Sequence, residues 1–494
     1  MYFQEALKKI NGLAYLMEQL PIRSEVGRNL LYELPWLGPN SASELLIEYK
    51  KTAEVIAFIA LQKTRAIEKF KVKISQVQNL QSTFKRIHFA LDDVQLFEIK
   101  KFALLVEEMS LYSSEIGVNM EVFPNLKPVV ACLDPDNTHI PTFYVYDSYS
   151  KQLAQDRNNL KQSLSVAAAN ATANAAANIL LKNPNSLAED QEIEDLRQKC
   201  LEEEDKIRTQ LSKKLLPYVE DLSKALHLVA IWDLLIAKAE WAIQWDLSCP
   251  TIEQNSVEIE LKNLFHPRIK KLREEKKKRY QKVDISLYNG VCLLTGANMS
   301  GKTVLLKSIA LAQTLAQFGF FVPASYARLS LFDEVFLWVQ DAQNENQGLS
   351  SFGSEMMQLN DILQKVKQGK KVALFFDELA RTTNPEEGRA IVCAAMDILE
   401  KPQIVGLIST HYDSISNAKR RLRIKGFTPN LEIKQKESLP LKITIENIQD
   451  FMDYRVEEVD PKTPNTSQAL VIASILGVDT DLLDKAQYYF LEKD

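Results

Sequence analysis

Leu293-Leu294-Thr295-Gly296-Ala297-Asn298-Met299-Ser300-Gly301-Lys302-Thr303 is the stretch on which the reading of this chain turns. Gly296 to Thr303 fit the spacing G-x-x-x-x-G-K-[ST], that of a phosphate-binding loop. The apolar run Val291 to Leu294 predicts a buried strand ahead of it, and Val304 to Phe320 carries apolar residues at helical spacing. Strand, glycine loop and helix in that order are the context the motif needs. Gly296 and Gly301 let the backbone bend so that successive N–H groups converge on phosphate oxygens. The following helix adds the partial positive charge of its N-terminus. Lys302 is expected to reach the β- and γ-phosphates of a nucleotide, and Thr303 to place a hydroxyl on Mg²⁺.

Farther along, Val372-Ala373-Leu374-Phe375-Phe376-Asp377-Glu378 is a continuous apolar strand whose acids stand only at its end. That pattern suits a parallel-sheet nucleotide site. Asp377 is expected to hold Mg²⁺ through water and Glu378 to polarise the attacking water. A strand ending in a polar turn is the plain alternative. A third strand, Gln403 to Ile408, ends in Ser409-Thr410-His411, where His411 serves either as a γ-phosphate sensor or in a structural role. Between loop and acids, Gly348 to Met356 reads as a serine-rich turn opening a helix, a second anion site. It lies too far along the chain to belong to the first loop. Ser350 and Ser351 there suit the γ-phosphate of a partner's ATP.

The rest of the sequence sets the frame. The chain has 494 residues, enough for several domains, with 46% apolar and 25% charged residues, as in an ordinary soluble protein. Its net charge of −5 excludes a global basic field toward nucleic acid or anionic membrane. Cys132, Cys200, Cys249, Cys292 and Cys393 are scattered, which predicts neither a disulfide framework nor a zinc site. No run resembles a signal peptide or a membrane span, so a cytoplasmic protein without membrane contact is expected.

Residues 1 to about 245 read as helical. Phe3-Gln4-Glu5 is read as a helix start; a ring that wedges into stacked bases is the alternative. An amphipathic helix runs from Leu91 to about Tyr112, and another resumes from Tyr146 to about Leu164. The Ala/Asn/Thr-rich stretch Ala167 to Ala177 predicts a surface helix or a flexible tip near Asn183 to Ser186. A long helical run from Glu189 to about Trp245 follows, kinked at Pro217. A helix that leaves the core and returns and an ordinary bundle both fit. Two basic runs, Lys270 to Lys282 and Lys419 to Lys425, are candidate nucleic-acid patches or solvated surface.

The motifs in this order resemble the MutS family of ABC-type ATPases. Gly-Ala-Asn-Met-Ser-Gly-Lys-Thr carries the family's Asn-Met centre at Asn298 and Met299, with Ala297 in place of its usual Pro. The likeness is strong over residues 251 to 494 and weaker, but in order, over 85 to 245. It implies an α/β P-loop (ABC-type) ATPase domain at 246–450, preceded by a mainly α-helical core and lever domain at 1–245. A helical dimerisation element at 451–494 follows, on the match of Ser467 to Ala486. It also implies a homodimer with composite ATP and Mg²⁺ sites, in which Gly296, Ala297, Asn298, Met299, Ser300, Gly301, Lys302, Thr303, Asp377, Glu378 and His411 come from one subunit. Ser350 and Ser351 come from the other. Phe265, His266 and Pro267 match the segment near adenine.

Departures bear on the partner. The repair proteins are longer, so neither a mismatch-reading domain nor a connector is expected ahead of the core. No β-rich clamp is expected between residues 150 and 245, and no nuclease domain after Asp494. After Asp377-Glu378 the repair proteins run Leu/Ile-Gly-x-Gly-Thr; here Leu379-Ala380-Arg381-Thr382-Thr383-Asn384-Pro385 has neither glycine. This version resembles the MutS-related ATPase subunit of lysine aminomutase reactivases. A DNA-coupled switch and a protein-remodelling ATPase acting on such a cobalamin enzyme are therefore both expectations.

Overall fold

The computed structural model describes residues 1–10, 12–61, 64–176, 184–297, 299–339, 351–412, 415, 417–427, 448–460 and 469–491. They divide into two compact units. One comprises Met1–Pro21, Leu31–Ile56 and Ile236–Asp494, the other Ile22–Leu30 and Ala57–Leu235.

The first unit is built on two sheets. β1 (Thr251–Glu253), β5 (Tyr326–Ser330), β2 (Ile259–Leu264) and β3 (Val283–Leu287) form one, in that order. The other has six strands in the order β10 (Met452–Val459), β9 (Arg421–Phe427), β4 (Gly290–Thr295), β8 (Ile404–Ser409), β7 (Val372–Phe376) and β6 (Glu334–Trp338). All of its pairings are parallel except β9 with β10. Every residue of β4, β7 and β8 is buried, which is why these strands read as unbroken apolar runs rather than alternating ones. Because β4, β8 and β7 are parallel neighbours, the glycine loop, Ser409 to His411 and Asp377-Glu378 all leave the sheet at one edge.

The helix Lys302–Gln317 that follows the glycine loop is almost wholly buried. Its two interior glutamines bond outward: the Gln313 amide donates to the Ser330 carbonyl at 2.8 Å, and that of Gln317 to Phe332 at 2.8 Å and Leu37 at 2.9 Å. The N-terminal segment packs at the far end of this helix. Phe3 is fully buried in the helix Phe3–Lys9, its ring edge-on to Phe318 at 4.7 Å, and Tyr49 donates its hydroxyl to the Ala316 carbonyl at 2.6 Å. Phe3-Gln4-Glu5 is thus a helix start with its ring in the core. Residues 1–21 and 31–56 fall in the same compact unit as the sheets, with Phe3 against Phe318 and Tyr49 bonded to Ala316.

The second unit is helical. The helix Asp93–Ile116 begins with a reciprocal capping box between Asp92 and Gln95 and ends at Gly117 in the left-handed conformation, one turn later than expected. Lys100 is fully buried within it. Its ammonium lies 3.0 Å from both the Asp134 carboxylate and the Tyr146 hydroxyl. Lys151–Ala176 and Pro184–Leu215 pack along each other, with Arg157 bonded to Glu204 at 2.8 Å and Ser150 to Glu203 at 2.8 Å. The Ala-rich tract continues the first of these helices, as alanine's propensity allows; of the expected tip, Asn183 lies outside the described residues and Pro184 to Ser186 open the second helix. Pro217 sits in a 3₁₀ turn, Leu216–Tyr218, ahead of the helix Val219–Trp245. Among the described residues, no helix is long and apolar enough to cross a membrane.

Candidate functional site

The glycine loop folds back over its own lysine. Gly296 has φ +150°, Met299 +69° and Gly301 +93°. A Cβ on Gly296 would meet the Ser300 hydroxyl at 2.8 Å, and one on Gly301 would meet the Tyr454 ring at 3.0 Å, so both positions need glycine. Lys302 is 8% exposed and donates to the carbonyls of Gly296 at 2.8 Å and Ala297 at 3.1 Å. Burial lowers its pKa, against the nearby charges of Glu378 and Asp377. Asn298 lies outside the described residues.

Thr303 and Asp377 meet directly, the hydroxyl donating to Oδ2 at 2.5 Å. Asp377 accepts a second bond at Oδ1 from the Ser409 hydroxyl at 2.8 Å, and that same hydroxyl accepts the Glu378 N–H at 2.9 Å. Ser409 therefore sets both acids at once. It stands beside them because β8 pairs with β7, whose end carries both acids. Glu378 has φ +55°, and its carboxylate pairs with Arg381 at 2.6 Å. His411 is exposed just past the end of β8, its ring against Tyr412 at 4.2 Å. Ser350 lies outside the described residues. Ser351 is the first residue of the helix Ser351–Lys367, and its side chain is likewise outside them.

A cavity of about 480 Å³ opens beside the loop. Ile269, Leu272, Val304 and Tyr454 give it apolar walls, and Arg273, Lys276, Lys278 and Arg279 stand around it. Phe265 and His266, expected near the base, do not line it. They are 1% and 3% exposed. Pro267 opens a helix, Pro267–Glu275, and residues of that helix face the cavity instead. Burial depresses His266 to about 4, with the charges of Lys307 and Arg268 adding to the effect, so its ring is neutral at neutral pH.

The two basic runs fare differently. Lys270–Lys282 partly lines this cavity, and Arg273 and Lys278 share Asp450 at 2.6 and 3.5 Å. The expectation of a patch at Lys419–Lys425 is corrected. That run is largely strand β9, and antiparallel β10 supplies Glu458 to Arg420 at 3.0 Å and Glu457 to Arg423 at 2.9 Å and Lys425 at 3.6 Å. Lys419 pairs with Glu400 at 3.3 Å. Three acids remote in sequence thus pair with four of its five basic residues.

The family model for MutS domain V matches residues 292–491, which include all of these convergent groups. Over this stretch the chain is similar to the MutS family. Similar proteins include the endonuclease MutS2 of Pediococcus pentosaceus, 30% identical over 292 residues, covering 58% of this chain and 34% of that protein. The DNA mismatch repair protein MutS of Carboxydothermus hydrogenoformans is 30% identical over 284 residues, covering 56% of this chain and 31% of the relative. The chain thus spans about a third of the length of these curated relatives. Within this MutS-like stretch, sequence reasoning passed over Ser409 and Tyr454. Ser409 stood inside a quoted strand end without a role. Tyr454 lay far from every motif and reaches the glycine loop only through the β9–β10 pairing.

Proposed function

We propose that this MutS-like chain hydrolyses ATP to ADP and phosphate. The observation that carries the reading is the convergence of Lys302, Thr303, Asp377, Ser409 and Glu378 at one edge of the sheet. The loop amides and Lys302 would hold the β- and γ-phosphates. Thr303 and Asp377 present adjacent hard oxygens, a donor set that fits Mg²⁺, which when bound would neutralise phosphate charge. Glu378 would orient the attacking water and take its proton, with His411 at the γ-phosphate. The cavity walled by Tyr454 and Leu272 has the size and apolar character for the base. Tyr454→Ala should weaken fluorescent ATP-analogue binding about fivefold to tenfold, the scale of a lost stacking contact, and leave inorganic tripolyphosphate competition unchanged. Equal losses for both ligands would move the base elsewhere.

The same reading makes 451–494 a dimerisation element, 246–450 the ATPase domain and much of 1–245 a core with levers. In support, Leu482, Tyr489 and Phe490 of the last helix are 60%, 65% and 50% exposed, an apolar face that a second copy would cover. Ser350 and Ser351 would then serve the partner's ATP. A cytoplasmic location accords with this reading.

The names of the relatives favour coupling to DNA, in repair or recombination. One observation favours a protein partner instead, such as a cobalamin-dependent lysine aminomutase or its reactivase assembly. The helix Pro184–Leu215 exposes Asp190, Glu192, Glu194, Asp195, Glu202 and Asp205 against Arg197, Lys199 and Lys206, a net acidic surface that disfavours phosphate. The deciding test is steady-state hydrolysis with and without homoduplex, mismatched and branched DNA at low and moderate salt. A rate that shifts with DNA structure supports the DNA-coupled switch; a rate blind to every DNA supports remodelling of a protein. Absence of hydrolysis under all conditions would overturn the ATPase assignment.

A further inference from the structure

The turn after Glu378 is bent in a way its residues do not favour. Glu378 and Ala380 both have left-handed backbones, φ +55° and +59°. Neither is glycine, so the conformation persists only where the surroundings over-determine it. Ser409 holds the first half, through the Glu378 and Leu379 amides. The second half is held at one residue, beside the turn bond from the Arg381 N–H to the Glu378 carbonyl at 3.2 Å. The Ala380 N–H donates to the Glu355 carboxylate at 3.1 Å, and the Ala380 carbonyl accepts the Tyr412 hydroxyl at 2.6 Å.

Both partners are placed at a cost. Glu355 is fully buried, and its second carboxylate oxygen has no hydrogen-bond partner among the described residues. Tyr412 reaches Ala380 only because Gly388 has no side chain. A Cβ there would lie 2.0 Å from the Tyr412 oxygen and 2.9 Å from the Ala380 carbonyl. That glycine stands inside the helix Pro385–Leu399, where it weakens the helix. A buried carboxylate with an unpaired oxygen and a helical glycine therefore converge on one strained residue, two positions from Glu378.

We propose that Tyr412 and Glu355 are positioning residues that hold the Ala380 backbone left-handed, one from each side of its Cα, and thereby aim the Glu378 carboxylate. Tyr412 follows His411, and Glu355 stands on the helix that begins at Ser351. The attitude of the acid is thus set from two segments, one that would border this chain's own nucleotide and one that would border the partner's. This inference rests on the proposed ATP hydrolysis and names residues for it.

The test measures kcat and KM for ATP, fluorescent ATP-analogue affinity and thermal stability of the full chain. Tyr412→Phe and Glu355→Ala should each lower kcat by about tenfold or more, the scale of a misaimed catalytic group, while analogue affinity stays within about twofold. Gly388→Ala, which displaces the Tyr412 hydroxyl, should do the same. Glu355→Gln keeps an acceptor for the Ala380 N–H and should restore most of the rate. Ala380→Gly, which removes the backbone strain, should rescue Tyr412→Phe. Unchanged kcat in Tyr412→Phe and Glu355→Ala, lowered thermal stability with normal kcat, or no rescue by either conservative change would overturn the proposal. A wild type without Glu378-dependent hydrolysis would instead overturn the reaction on which it rests.

Discussion

Glu378→Gln should lower ATP hydrolysis by about 10²–10⁴-fold, the usual contribution of a positioned general base, while the chain still binds ATP. The loop, Lys302 and the Thr303–Asp377 contact do not depend on the Glu378 side chain. Ser409 orients Asp377 directly and bonds Glu378 only through its backbone N–H. Nucleotide affinity should therefore stay within about threefold, the signature of a group that acts in the transition state alone. The change also dissolves the ion pair with Arg381, whose side chain is 59% exposed. Exposed pairs contribute about 1 kcal/mol or less, so thermal stability should barely move. Fluorescent ATP-analogue titration beside phosphate-release kinetics gives both numbers. A variant that hydrolyses at the wild-type rate would remove Glu378 from the chemistry.

Lys100→Ala should cost the helical unit about 3–5 kcal/mol at pH 7, the range for breaking a buried ion pair by deleting one partner. Lys100 and Asp134 have side chains 0% and 1% exposed, so the abandoned carboxylate could not be rehydrated in place. Burial pushes Asp134 up, but bonds from Lys100, the His139 amide and Thr138 outweigh it and hold the group down at about 2. A carboxylate depressed in the fold stabilises it above its unfolded pKa, near 3.9, and loses that contribution as the pH falls through its folded pKa. The gap between wild type and Lys100→Ala should thus be full at pH 7 and shrink between about pH 4 and pH 2. Urea unfolding followed by the fluorescence of Trp232, buried in the same unit, reads it directly. A cost under about 1 kcal/mol at pH 7 would mean that the pair contributes no net stability. Replacing both partners by apolar residues of similar volume should recover much of the loss.

The amino-acid sequence by itself determined the features that are local in the chain. The glycine loop between a buried strand and a helix, the strand ending in Asp377 and Glu378, and the helical character of most of residues 1–245 follow from short-range spacing. Parallel strands then bring their ends together without further information. Even the left-handed turn at Ala380 had a local trace, since that position departs from a family glycine.

What the tertiary structure alone decided concerns pairs far apart in sequence. Composition shows the charge of Lys419–Lys425 but not Glu457 and Glu458, which β10 lays across it. Periodicity marks Lys100 as sitting in an amphipathic helix but not as buried against Asp134. Phe265 and His266 resembled base-site residues, yet Pro267 begins a helix that turns later residues to the cavity. Tyr454 reaches the glycine loop, and Tyr412 and Glu355 reach the two peptide groups of Ala380, only once the sheet is assembled. Spacing along a chain encodes which face of an element is apolar; it does not encode which distant side chain will meet that face. That choice is made when strands and helices pack, and most of the groups that aim this site are chosen there.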